Sequence, residues 1–116
     1  MKYKIWNDVW EIKLVNPGDE GLIAQGVTNV GTCYSEKKLI CIEENNYAEQ
    51  STLEFITHEL THAYIYETMH DGDYGKKKFD EEFVCGFVER YGKYIVQNAK
   101  NIFDELKLEK KGQIND

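Results

Sequence analysis

The sequence predicts an α+β domain with its strands in the first half of the chain and two long helices in the second. Three observations predict it. Period-two alternation at Trp10 to Val15 and short β-prone segments up to Glu43 come first, 3.6-residue periodicity sets in near Ser51 and again after Asp80, and aliphatic and aromatic residues run from Tyr3 to Leu106 without a long break. A chain of 116 residues holds one core, so residues 1–116 are read as a single domain, with 107–116 as a polar, frayed tail.

The elements follow in order. Trp10, Ile12 and Leu14 alternate with Glu11, Lys13 and Val15, a strand that ends in the turn Asn16-Pro17-Gly18-Asp19. Val30 to Tyr34 and Leu39 to Glu43 flank the polar Ser35-Glu36-Lys37-Lys38, which makes a hairpin. A polar link at 45–50 leads to Ser51-Thr52-Leu53-Glu54, read as a capping box for the first helix. In that helix Leu53, Ile56, Leu60 and Tyr64 form a core stripe, and Glu54, Thr57, Thr61 and Thr68 a polar strip. His58 and His62 fall on a third sector with Phe55, Ile65 and Tyr66, which predicts imidazoles set among apolar groups on a helix covered on two sides. A glycine-punctuated loop, Met69 to Gly75, separates it from a second helix capped by Asp80, whose apolar face carries Phe83, Val84, Phe87, Val88, Tyr91, Tyr94, Ile95 and Ile102.

Composition restricts the partners. The formal net charge of −7 argues against a nucleic-acid groove, since phosphate binding needs a clustered excess of Lys and Arg, and Lys76-Lys77-Lys78 reads as a solvated connection. No run of eighteen apolar residues exists, and the N-terminus turns polar before a signal-peptide core could form; the expectation is a cytoplasmic protein with no membrane partner. Cys33, Cys41 and Cys85 lack metal-finger spacing and are read as reduced thiols that pack as small apolar groups.

The chemistry is concentrated in His58-Glu59-Leu60-Thr61-His62. Residues four apart on a helix are neighbours, so one ion can take a nitrogen from His58 and one from His62, while Glu59 is left to act as general base on a zinc-bound water. Two ordinary helix histidines are the alternative. A catalytic Zn2+ takes a third protein donor. The metzincin extension is excluded, because Ile65 and Thr68 stand where its glycine and third histidine would be. Glu81 and Glu82 open the second helix; projection puts Glu81 beside Val84, Cys85 and Val88, able to face the first helix, and Glu82 outward with Glu89 and Lys93. Glu81 is therefore the expected third ligand, with Glu82, Cys33 and His70 as the alternatives; His70, Tyr66 and Tyr74 are also within reach of a site role as polar groups.

HELTHA at 58 to 63, the upstream hairpin, and Glu81-x-x-Val84-Cys85-x-Phe87-Val88 together resemble the small zincin-like metallopeptidases of the ImmA/IrrE type, whose relatives often occur on phages and other mobile elements. The resemblance spans Val27 to Tyr91, with Glu81 on the family's downstream glutamate, Cys85 where Asn or Asp is usual, and the later proline-ended segment missing. It implies a minimal zincin fold, a small mostly antiparallel sheet packed on the HExxH helix and the glutamate helix. It also implies a zinc-dependent endopeptidase acting on protein or peptide substrates, in some members a transcriptional repressor. Gly31-Thr32-Cys33-Tyr34-Ser35 resembles the cysteine segment of peptide deformylases, which keeps an amidase or deformylase-like hydrolase as the second reading and a zinc-stabilised interaction domain as the third. An extended substrate would pair with a hairpin strand, placed at Leu39 to Ile42.

Overall fold

A computed structural model describes residues 1–44, 49–69 and 80–115, for Glu49 and 111–115 the backbone alone. In chain order the strands are β1 (Lys2–Ile5), β2 (Asp8–Val15), β3 (Ile23–Ala24), β4 (Val27–Thr28), β5 (Gly31–Tyr34) and β6 (Leu39–Glu43), followed by the helices α1 (Glu49–Thr68) and α2 (Glu81–Asn115). The α+β class is the one expected. β1, β2, β6 and β5 lie side by side in that order, while β3 and β4 form a separate two-stranded ribbon. Two of the three pairings in the larger sheet are antiparallel, β1 with β2 and β5 with β6; β2 and β6 run parallel, Ile12 beside Ile40 and Leu14 beside Ile42.

The alternation of Trp10 and Ile12 sends both into the core, at 0 and 1 % exposure. The turn after β2 closes with Asp19 N–H donating to the carbonyl of Asn16. The 35–38 connection joins β5 to β6 as expected, with Lys38 in the left-handed region at φ +52°. β1 was not anticipated, although Tyr3 and Ile5 alternate with Lys2 and Lys4; it adds an edge beyond β2 and buries Ile5.

α1 lies on the sheet against β5, β6 and β1, and α2 packs on α1. Ile56, Leu60, Ala63 and Tyr64 of α1 meet Ile40, Ile42, Ile95, Ala99 and Ile102 in one core. The polar strip satisfies itself: Thr57, Thr61 and Thr68 each donate a hydroxyl to the carbonyl four residues earlier. The helix starts at Glu49, so Ser51 is an interior residue and the expected capping box does not form; Glu54 instead accepts from Gln50 Nε2, one turn back.

Asp80 is the cap expected of it, its Oδ1 accepting from Phe83 N–H at 2.9 Å. The apolar face of α2 changes along its length. Phe83, Phe87 and Tyr91 are half-buried and Ile95, Ala99, Ile102 and Leu106 buried, whereas Val84, Val88 and Tyr94, assigned to the same face from sequence, are 51, 57 and 45 % exposed. The segment after Leu106, expected to fray, continues α2 to Asn115, and Lys110 forms an ion pair with Glu44. Among the described residues no helix is long and apolar enough to cross a membrane.

Candidate metal centre

Helical spacing brings His58 and His62 together as expected, their ring centroids 5.0 Å apart. A ligand atom from each imidazole and a carboxylate oxygen of Glu59 lie within 4.8 Å of one another. This is the donor chemistry a divalent ion of the zinc type takes up, two imidazoles and an oxygen on one patch of helix. Among the described residues it is the one cluster of three or more His, Cys, Asp or Glu with that closeness.

The surroundings differ from the expected ones. The His58 side chain is 69 % exposed and His62 is also exposed, so the imidazoles are not enclosed by apolar groups. The reason lies in the sheet: β5 is one of its two edge strands, the sheet ends there, and His58 and His62 stand exposed on the part of α1 beside it. Even so, the protein around His62 displaces enough water to lower its pKa, helped by the charge of His58, and this favours the neutral, metal-ligating ring.

Glu59 is the contrast. It is only 7 % exposed, turned from the surface toward β5, with Oε2 3.9 Å from His58 Nε2. Burial raises its pKa above the ordinary carboxylate value, and the nearby charge of His58 offsets part of the rise. A raised carboxyl pKa suits a group that must both accept and return a proton near neutrality. A cleft of about 380 Å³ opens here between Val30 and Gly31 on one side and Phe55, His58 and Glu59 on the other.

The strand that borders this cleft is β5. Leu39 to Ile42, the expected docking strand, lies in β6, which is paired with β2 on one side and β5 on the other and has no edge to offer. Glu43 N–H donates to the carbonyl of Val30, which makes 30 and 43 a hydrogen-bonded pair. By antiparallel alternation Thr32 and Tyr34 also turn their main-chain groups to β6, and Gly31 and Cys33 turn theirs to the outer edge.

The candidates for a third ligand are spread out. Glu81 and Glu82 are both exposed in the first turn of α2, and the structure brings neither into the His58, Glu59, His62 group. The side of α2 that Glu81 shares with Val84 and Val88 is open, not pressed on α1. Cys33 is half-buried on β5, its Sγ 3.7 Å from Ser35 Oγ; burial pushes its pKa up to about 11, Ser35 works against that, and the charge of Glu59 adds to it. Alkylation at pH 8 should therefore modify the exposed Cys85 well before Cys33; mass-spectrometric mapping showing Cys33 labelled first would contradict this placement. Tyr66 packs edge-on against Trp10 at 6.2 Å, while His70 and Tyr74 lie outside the described residues. Gly31, quoted from sequence only as the start of the deformylase-like segment and given no role there, stands directly against Glu59.

Comparison of the chain with known protein families, with curated proteins and with solved structures finds no match.

Proposed function

We propose that the protein is a zinc-dependent peptide hydrolase of the zincin-like kind, with His58 and His62 as metal ligands and Glu59 as general base; Glu81 enters as the third ligand from the sequence pattern alone, since it stands outside the His58, Glu59, His62 group. The observation that carries this reading is the placement of Glu59. A carboxylate buried beside two exposed imidazoles, at the mouth of a cleft along a strand edge, is what hydrolysis needs and what a purely structural site has no use for. When bound, the ion supplies Lewis acidity, polarising a carbonyl and making water more acidic. His58 and His62 hold it from one helix face. Glu59 takes a proton from the attacking water at a carboxylate oxygen and delivers it to the leaving amine. Gly31 and Cys33 offer main-chain N–H and C=O groups to an extended peptide, which keeps the scissile bond near that carboxylate. The substrate class is protein or peptide, a transcriptional repressor in the manner of the ImmA/IrrE-type resemblance, and the compartment the cytoplasm.

A second reading, a deformylase-like or other amide hydrolase with Cys33 as third ligand, has one observation in its favour: Cys33 is close enough to Glu59 for that charge to raise its pKa. One set of variants decides between them. The wild type should bind about one zinc per chain, and His58→Ala and His62→Ala should each lower affinity at least about 10-fold, read by metal analysis after dialysis. Loss of zinc in Glu81→Gln with retention in Cys33→Ser supports the first reading; the opposite pattern supports the second. A library of unfolded proteins and peptides offered to the zinc-loaded wild type then tests hydrolysis itself. No cleavage together with four protein ligands to the zinc would make the protein an interaction domain.

A further inference from the structure

We propose that Gly31 is a positioning residue for the reaction assigned above, setting the place of Glu59 by having no side chain. The inference rests on that functional reading for its catalytic part and on geometry alone for its structural part. A Cβ built on Gly31 would stand 3.0 Å from both Cγ and Oε2 of Glu59 and 3.3 Å from its Cδ, closer than ordinary van der Waals contact. The backbone gives no other reason for glycine. Among the described glycines the left-handed conformations belong to Gly18 and Gly26, so Gly31 adopts angles open to any residue. Glycine inside a strand weakens it, and its usual meaning there is close approach of another group.

Here the approaching group is the candidate base. β5 sends Gly31 and Cys33 toward α1, and the carboxylate of Glu59 occupies the space that a side chain at 31 would fill. The same residue turns its main-chain N–H and C=O to the outer edge, where the substrate would pair. Strand edge and base are thus registered to each other through one residue. A methyl group at 31 leaves His58 and His62 untouched and drives the Glu59 carboxylate outward.

Two measurements test this. The first is a thermal-melting cycle on the metal-free full chain with Gly31→Ala, Glu59→Ala and the double variant. Gly31→Ala should lower the melting temperature by a few degrees in the wild-type background. In the Glu59→Ala background it should raise the melting temperature, because alanine restricts the unfolded chain and nothing remains to collide with. The same downward shift in both backgrounds overturns the proposal. The second is kinetic, on zinc-loaded protein with a peptide the wild type cleaves. Gly31→Ala should keep its zinc stoichiometry and KM while kcat falls about 10-fold, because the carboxylate has to give way by a few tenths of an ångström, less than the roughly 1 Å misplacement that costs about 100-fold. Shortening the base in that background, Gly31→Ala with Glu59→Asp, should recover part of the loss. An unchanged kcat, or no recovery, overturns the positioning role. A zinc-loaded wild type that cleaves nothing overturns the hydrolase reading and the catalytic part of this inference with it, while the melting cycle still decides the contact.

Discussion

Glu59→Gln should retain zinc and fold and lose the proposed peptide-bond cleavage by about 100-fold to 10,000-fold, the range general acid–base groups contribute. The amide nearly preserves the shape of the carboxylate but cannot accept the water's proton. Zinc content by metal analysis should match the wild type, since His58 and His62 are unaltered and Glu59 is turned toward β5 at 7 % exposure. The metal-free variant should melt no lower than wild type at pH 7. Burial raises the Glu59 pKa, so the folded state holds this proton more tightly than the unfolded chain, and the stability linked to it is lost as pH rises through the raised value. A neutral amide escapes that loss. Equal cleavage by variant and wild type, compared by mass spectrometry, would remove Glu59 from the mechanism; loss of zinc in the variant would make it a ligand.

Glu67→Ala destabilises the protein by about 2 to 3 kcal/mol, which lowers the melting temperature by roughly 10 °C in a chain of 116 residues. Glu67 is 4 % exposed near the end of α1, where one oxygen accepts from Trp10 Nε1 at 2.9 Å and from Lys38 Nζ at 2.9 Å. Trp10 is fully buried, so its indole N–H has no water to replace the lost acceptor. Lys38 is partly exposed and keeps its pairing with Asp8, which holds the cost below that of a fully buried ion pair. Glu67→Gln keeps an acceptor for the indole and loses only the charge, and should cost about half as much. Denaturant unfolding that places Glu67→Ala within about 0.5 kcal/mol of wild type would show that the carboxylate does not tie α1 to β2 and the β5–β6 connection.

The candidate site was legible to the extent that it is local. His58 and His62 meet because they are one turn apart on one helix, and Glu59 sits between them whatever the rest of the chain does. The same holds for the hairpin of β5 and β6, whose four-residue connection brings its strands together, and for Asp80, which caps the helix it precedes. The start of α1 was misplaced by three residues, Thr52 against Glu49, because Ser51 and Glu54 satisfy a capping pattern that an earlier turn of helix overrides.

What the sequence by itself determined is therefore the α+β order, the helix that carries the two imidazoles, and the carboxylate that stands between them. The tertiary structure alone decided where these lie. β2 and β6 are distant in sequence and pair in parallel, a choice made by total burial rather than by any turn, and that pairing makes β6 interior and leaves β5 as the edge beside the site. The helical projection showed His58 and His62 on a distinct sector of α1 without showing what covers it; the sheet ends at β5, and they face outward. Val84 and Val88 obey helical periodicity yet remain exposed, because α1 meets a different side of α2. Glu67 carries no sequence signal, and Gly31 enters the sequence reading only as the first residue of the deformylase-like segment. Each matters through one contact across the fold, Glu67 with Trp10 and Gly31 with Glu59, and such contacts depend on how elements dock, which local periodicity does not encode.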